Sequence, residues 1–221
     1  MSQGFYHTAS HLPDNVAQMF NADLYNGDNN GQFTWKEMQH RVEGIAGGLL
    51  SMGLEKQQRV AMMSTNSPYW TQADVATICC GGVLVTIFPT LSLNEVKYIV
   101  NDSESRFFYA GSKQILEKVL SGWDEMPSLE KVILLDMDYR SSDSRIIGLG
   151  ELIESGSQYM KSNYQEYEQI WKSLDLSDWA TILYTSGTTG AGKGVILTHN
   201  SLSERVDGTH KYFVQAGHPL D

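Results

Sequence analysis

The chain contains few cysteines and few prolines. Of its 221 residues, two are cysteine and five are proline. The two cysteines, Cys79 and Cys80, are adjacent, and adjacent residues rarely form a disulfide with each other; they also lack the C-x-x-C spacing of a zinc site. A small secreted fold held together by disulfides is therefore excluded, and a reducing cytosol is the environment that this composition favours.

The chain also lacks an excess of positive charge and any long apolar run. It has 16 Lys and Arg against 26 Asp and Glu, a net charge of −10, whereas a protein that binds a nucleic acid duplex needs a basic face. No apolar run approaches the roughly 20 residues of a membrane span, and the N-terminus does not have the pattern of a signal peptide. We therefore expect a cytoplasmic protein that does not bind nucleic acid. A peripheral position on a membrane and the oligomeric state are left open.

Segments typical of strands and helices alternate along the chain as far as Asp136. Continuous apolar and β-branched runs predict strands, and Ser or Thr residues ahead of segments with helical periodicity predict the starts of helices. This alternation is typical of an α/β fold, with a mainly parallel sheet covered by helices on both faces. The predicted strands are Val60–Met63, Val83–Phe88, Arg106–Ala110 and Val132–Leu135, and the predicted helix starts are Thr34, Ser67, Ser92 and Ser112.

Two segments have weaker patterns. Residues 14–24 follow Pro13 and place Val16, Met19 and Phe20 at helical spacing, which predicts a short amphipathic helix. Residues 137–178 are polar and rich in Ser and Tyr, and we interpret them as a surface connection. Within this connection the spacing predicts two helices, Leu149–Tyr159 and Tyr164–Leu174.

The stretch Thr181–His199 carries the clearest chemical signal. Its flanks, Thr181–Tyr184 and Val195–Thr198, are apolar and β-branched, which predicts two buried strands. Between them lie only Thr, Ser, Gly, Ala and one Lys. The glycines let a ligand approach the backbone, and exposed N–H groups, hydroxyls and an ammonium together suit a phosphate. A plain flexible loop is the alternative, but it explains neither the hydroxyls nor the lysine.

The segment from Gly187 to Lys193 also fits the Walker A pattern G-x-x-x-x-G-K. Walker A continues with the Ser or Thr that holds magnesium and opens a helix. Here Gly194 follows, and the next residues have the pattern of a strand. Both features argue against a Walker NTPase, which needs a helix after Lys193.

The residues Tyr184 to Gly190, then Lys193-Gly194-Val195 and Thr198-His199, resemble the signature of the adenylate-forming (AMP-binding) enzymes. These include the acyl-CoA synthetases, the luciferases and the adenylation domains. The segment Phe88–Ser92 is similar to the long-chain fatty acyl-CoA synthetases. The family usually has a proline before the lysine, and Gly192 in its place predicts a less rigid loop.

The resemblance implies that residues 1–221 are the N-terminal part of an AMP-binding domain, with 137–178 as the polar connection. It implies a long-chain-fatty-acid–CoA ligase, which activates the acid as acyl-AMP and transfers it to coenzyme A. The expected partners are therefore ATP, Mg²⁺, a fatty acid and coenzyme A, and Thr185 would also contact the Mg²⁺. By resemblance, the residues that hold the phosphates of ATP are Thr185, Ser186, Gly187, Thr188, Thr189, Gly190 and Lys193.

Later motifs of the family are not found in these residues. There is no aromatic-Gly-x-Thr-Glu and no Thr-Gly-Asp, and we expect the C-terminal lid to be absent. We therefore assign no catalytic residue here and expect the chain alone to be inactive. An adenylation module for another acid and a non-catalytic nucleotide-binding protein remain alternatives. We assign His199, at a strand-to-helix junction, a structural or substrate-edge role.

Overall fold

The computed structural model describes residues 2–25, 27–185 and 192–205. The described helices are α1 (Ser2–His11), α2 (Trp35–Ser51), α3 (Pro68–Cys79), α4 (Leu93–Asp102), α5 (Lys113–Ser121) and α6 (Leu149–Lys172), and residues 199–205 are also helical. The strands are β1 (Val16–Met19), β2 (Gln32–Thr34), β3 (Arg59–Met63), β4 (Val83–Ile87), β5 (Phe107–Ala110), β6 (Lys131–Leu134), β7 (Ile146–Gly148), β8 (Trp179–Thr185) and β9 (Lys193–Thr198).

Seven of these strands form one sheet, in the order β7-β6-β5-β3-β4-β8-β9. Every neighbouring pair is parallel except β8 and β9, which are antiparallel. Parallel strands need crossover connections, and helices provide most of them here. The predicted α/β class with a mainly parallel sheet is confirmed.

The helix starts that the sequence predicts are confirmed by their capping hydrogen bonds. The Glu37 N–H donates to the Thr34 hydroxyl at 3.3 Å, and the Thr34 N–H donates to the Glu37 carboxylate at 2.8 Å. Ser92 and Glu95 form the same reciprocal pair at the start of α4. These bonds satisfy backbone donors that have no partner within the helix. Single side-chain caps at Ser67 and Ser112 begin α3 and α5.

The two faces of the large sheet carry separate hydrophobic cores. Successive side chains of a strand point to opposite faces. Met62 and Tyr109 therefore pack with α1, α2, α3 and α6, whereas Ala61 and Phe108 pack with α4 and α5. Helices cover both faces, as predicted.

The prediction of a helix at residues 14–24 is wrong. Residues Val16–Met19 form β1, and Ala22–Tyr25 form a 3-10 turn. β1 pairs antiparallel with β2, and the ring of Phe20 stacks on Phe33 with centroids 5.4 Å apart. The hydrogen bonds to β2 make Val16–Met19 a strand. Because β2 lies outside the sequence window in which helical spacing is counted, local periodicity does not show this pairing. Helix α1 is an element that the sequence analysis missed.

Residues 137–178 contribute more than a surface connection. They contain β7, at the edge of the sheet, and α6, one continuous helix where two were predicted. Helix α6 buries Leu149, Leu152, Met160 and Tyr167 among other residues. This apolar face continues through the predicted break because it packs along α2.

Helices α2 and α6 cross where both carry glycine. A Cβ atom on Gly156 would lie 1.8 Å from the carbonyl oxygen of Gly44 and 2.3 Å from the backbone nitrogen of Gly48. Such distances are far below van der Waals contact, so the two backbones approach as closely as glycine allows. This crossing attaches α6 to the core.

Cys79 and Cys80 are buried and form no disulfide, as expected. Burial raises the pKa of both thiols, which keeps them protonated and unreactive.

None of the helices within the described ranges is long and apolar enough to cross a bilayer.

We expect Gly156→Ala to lower the free energy of unfolding by about 1–3 kcal/mol, since the added methyl group forces the two helices apart. Urea unfolding followed by circular dichroism measures this. Gly4→Ala in α1 is the matched control, because no atom lies within 4 Å of the added Cβ apart from its chain neighbours and the backbone of its own helix. Helix propensity should raise the stability of this variant by up to about 1 kcal/mol. Equal effects of the two variants would contradict the close crossing.

The capping box at Thr34 predicts a pH-dependent contribution to stability. Hydrogen bonds from the backbone and the hydroxyl of Thr34 hold the pKa of Glu37 below its usual 4.5. A carboxyl whose pKa is lower in the folded state stabilises the fold above its unfolded pKa, and this is lost as the pH falls through the folded pKa. The stability difference between the wild type and Glu37→Gln should be constant from neutral pH down to about 5 and shrink below 4.5. Thermal melts across this range measure it, and a pH-independent difference would contradict the prediction.

Candidate phosphate-binding site

The hairpin of β8 and β9 forms the frame of the candidate site. Its register pairs Tyr184 with Gly194 and Thr185 with Lys193, so the predicted first and last phosphate contacts are opposite each other. Ser186, Gly187, Thr188, Thr189 and Gly190 lie outside the described residues. The loop leaves the carboxyl end of β8, and open parallel sheets bind ligands at this edge.

Lys193 is followed by a strand. β9 runs from Lys193 to Thr198 and pairs with β8. The helix that a Walker NTPase places directly after its lysine does not occur here. That alternative is therefore excluded.

The prediction that both strands are buried is wrong for β9. In β8, Ile182 and Tyr184 are 6% and 9% exposed, although Leu183 between them is 39% exposed. In β9, Val195 and Ile196 are 45% and 41% exposed. Within the described part of the chain, β9 is the last strand of the sheet and has a neighbour on one side only. An apolar β-branched run predicts a strand but not how many elements cover it.

Gly194 has a packing reason to be glycine. A Cβ at this position would lie 2.9 Å from a methyl group of Ile182 and 3.2 Å from the ring of Tyr184. The Ser or Thr of a Walker motif would therefore collide with the neighbouring strand. The residue that distinguishes this motif from Walker A is thus explained by the hairpin itself.

Lys193 and Thr185 present their side chains to solvent at the mouth of the loop. Among the described residues, no carboxylate forms an ion pair with the Lys193 ammonium. A cation that no carboxylate in the described part of the chain neutralises suits an anionic ligand. The pair therefore suits a phosphate ligand.

The described residues of the site could supply only a small part of the ligands of a magnesium ion. Thr185 offers a single hydroxyl, and the described ranges hold no group of three or more His, Cys, Asp or Glu that could bind a metal. Mg²⁺ at phosphate sites commonly keeps waters and takes most other ligands from the phosphates. A Thr hydroxyl is compatible with that arrangement.

Helix α4 contacts both ends of the loop. The Tyr184 hydroxyl donates to the Asp102 carboxylate at 2.5 Å, and the Tyr98 hydroxyl donates to the Gly192 carbonyl at 3.0 Å. Neither Tyr98 nor Asp102 belongs to the site residues that the sequence predicts. Their spacing of four shows that they share a helix face, but the sequence does not show which element that face meets.

His199 lies away from the loop. It is 3% exposed, and its backbone N–H donates to the carbonyl of Asp178 at 3.0 Å. Burial lowers the pKa of its imidazole. Strand β9 separates it from Lys193 by roughly 20 Å. His199 is one of the residues that line a cavity of about 780 Å³ beside α1 and α3. The burial of His199 suits a structural role and its place at the cavity suits a substrate-edge role, the two roles that were expected.

Comparison with known proteins identifies the family. A family model described as "AMP-binding enzyme" matches residues 5–219. The long-chain-fatty-acid–CoA ligase ACSBG1 of Rattus norvegicus is 29% identical over 217 residues, which covers 93% of this chain and 29% of that protein. Fatty acyl-CoA synthetase A of Dictyostelium discoideum is 30% identical over 187 residues, covering 81% of this chain and 27% of that protein.

Solved structures show the same fold. A long-chain-fatty-acid-CoA ligase (FadD1) from Archaeoglobus fulgidus has a TM-score of 0.76 at 20% identity, covering 94% of this chain and 38% of that one. The anthranilate CoA ligase AuaEII in complex with anthranoyl-AMP has a TM-score of 0.71 at 16% identity, covering 90% of this chain and 34% of that one. The chain thus spans less than a third of the length of the two relatives above. Because the family model matches nearly all of its residues, the chain belongs to the AMP-binding enzymes.

Proposed function

We propose that residues 1–221 are the N-terminal part of an ATP-dependent acyl-CoA ligase, in which the loop between β8 and β9 binds the triphosphate of ATP. The observation that carries this proposal is the pairing of Thr185 with Lys193 at the loop mouth, with the ammonium free of carboxylate partners among the described residues. Family membership supports it, because the residues that carry the resemblance are those of this hairpin.

The proposed reaction has two steps. The carboxylate of the acid attacks the α-phosphorus of ATP, the bond to pyrophosphate breaks, and acyl-AMP forms. The thiol of coenzyme A then attacks the acyl carbon and AMP leaves. Because the substrate supplies the nucleophile, the protein contributes positioning and charge stabilisation.

In this proposal the hairpin stabilises the leaving pyrophosphate. Lys193 offsets its negative charge as a point charge, and Thr185 to Gly190 bind the β- and γ-phosphates through N–H groups and hydroxyls. Mg²⁺, when bound, would neutralise further phosphate charge, with the Thr185 hydroxyl as one of its ligands.

The proposed acid is a long-chain fatty acid. Support comes from the relatives at 29–30% identity, which are named as fatty acid ligases. The fold alone does not choose the acid, since the anthranilate CoA ligase described above has the same fold. A cytoplasmic location is the last part of the proposal, and it rests on composition.

The proposal predicts that Lys193→Ala weakens binding of pyrophosphate and of MgATP to the chain. Removing one charge-assisted contact should cost about 1.5–3 kcal/mol, a loss of affinity of roughly ten- to a hundredfold. Isothermal titration calorimetry with each ligand measures the change, at one fixed ionic strength because exposed charges are screened by salt.

Lys161→Ala is the matched control. It removes the same charge from the chain, and the Lys161 side chain is exposed on α6, where it bonds to Gln158. Its ligand affinity should equal that of the wild type. Equal affinity of Lys193→Ala and the wild type for both ligands would refute the loop assignment, and so would a wild-type chain that binds neither.

A further inference from the structure

One helix contacts both ends of the candidate loop. Tyr98 and Asp102 lie one turn apart on the same face of α4. Asp102 accepts a hydrogen bond at 2.5 Å from the hydroxyl of Tyr184, one residue before the end of β8. Tyr98 donates at 3.0 Å to the carbonyl of Gly192, directly before β9 begins at Lys193. The entry and the exit of the loop are thus attached to one support.

The two attachments also contact each other. The rings of Tyr98 and Tyr184 meet edge to face, with centroids 6.4 Å apart and planes at 88°. This is a favourable arrangement for two aromatic rings. Burial and the Asp102 carboxylate raise the pKa of Tyr184, so its hydroxyl keeps the proton that it donates. Movement of one loop end therefore disturbs the contact at the other.

Helix α4 is itself firmly held. Its first turn is closed by the capping box of Ser92 and Glu95. Lys97 forms an ion pair with the Glu125 carboxylate at 2.8 Å, and Asn101 donates to the Glu125 carbonyl at 2.8 Å. The opposite face of the helix, including Val96 and Val100, is fully buried against the sheet. Because helix α4 is held in place by these contacts, it can hold the residues of the β8–β9 hairpin that it contacts.

The exit of the loop has little stiffness of its own. Gly192 has no side chain and a wide choice of φ, whereas a proline there would fix φ. The Tyr98 hydroxyl constrains the same backbone from outside the hairpin. Because this hydrogen bond holds the residue directly before Lys193, it restricts the orientation of the Lys193 backbone and hence of its side chain.

We propose that Tyr98 and Asp102 form a clamp on Gly192 and Tyr184, at the facing ends of β9 and β8, and are positioning residues for Lys193. The contacts that define the clamp do not depend on the ligand. The consequence for phosphate binding rests on the proposed function. The two parts are tested by separate measurements.

Trypsin cleavage after Lys193 in the native chain tests the clamp without any ligand. Tyr98→Phe keeps the ring and removes the hydroxyl, and Tyr184→Phe does the same at the other end. Each should speed this cleavage about three- to tenfold, because the loss of one hydrogen bond raises by that factor the population in which this end of the β8–β9 hairpin is detached from α4.

Tyr164→Phe is the matched control. Tyr164 is 39% exposed, as is Tyr98, and its hydroxyl donates to Glu43 at 3.2 Å on a different part of the surface. It should leave cleavage after Lys193 unchanged. Unchanged cleavage in both Tyr98→Phe and Tyr184→Phe would overturn the clamp, and so would an equal acceleration by Tyr164→Phe.

Gly192→Pro separates positioning from a general structural role. If the Tyr98 hydroxyl acts by restricting the backbone at 192, a proline there should make it dispensable. The effect of Tyr98→Phe should then fall to less than about twofold in the Gly192→Pro background. An undiminished effect would overturn the proposed action through Gly192.

Pyrophosphate binding by calorimetry tests the functional part. Tyr98→Phe should weaken binding about three- to tenfold, and Tyr164→Phe should not change it. Unchanged binding in Tyr98→Phe would show that the clamp does not position Lys193. A wild-type chain without measurable binding would refute the proposed function, whereas the cleavage rates would still decide whether the clamp exists.

Discussion

The pairing of β8 on both of its edges is the constraint on which the site depends. β8 is parallel to β4 on one side and antiparallel to β9 on the other. The parallel pairing brings its carboxyl end to the edge of the sheet where ligands of α/β folds bind. The antiparallel pairing returns the chain at once and places Lys193 opposite Thr185. Without both partners, the Gly-rich segment would be a loop with no defined ends.

The helices on the two faces of the sheet have different roles. On one face, α2 and α6 approach at Gly44, Gly48 and Gly156 so closely that their backbones touch, and the contact serves stability. On the other face, α4 contacts the hairpin through Tyr98 and Asp102. Glycines, which have no side chain, let α2 and α6 come close together. The polar side chains of Tyr98 and Asp102 instead reach from α4 to the hairpin.

An aromatic cluster connects the N-terminal helix to the rest of the first core. The hydroxyls of Tyr6 and Tyr167 are 2.6 Å apart, and the ring of Tyr6 stacks on Trp171 at 4.3 Å. Helix α1 is therefore attached to α6, which the α2 crossing attaches to the sheet. The segment between β6 and β8 supplies the surface on which the start of the chain packs.

The sequence by itself determined the features that depend on near neighbours. The capping pairs Thr34–Glu37 and Ser92–Glu95 span three residues, so their hydrogen bonds are visible in the sequence. The alternation of strands and helices, which specifies the parallel sheet, is equally local. The motif from Tyr184 to Lys193, with Gly194 after it, argues against a Walker A loop, and strand β9 then excludes that alternative.

Only the tertiary structure decided the features that depend on distant partners. Val16–Met19 is a strand because Gln32–Thr34 pairs with it, and α6 is continuous because α2 offers it a glycine face. The exposure of β9 depends on which elements cover the sheet. Tyr98 and Asp102 are polar residues on an amphipathic helix until the fold places them against a loop some ninety residues later. Local sequence patterns carry no information about such contacts. The energy of these contacts comes from groups that only the folded chain brings together.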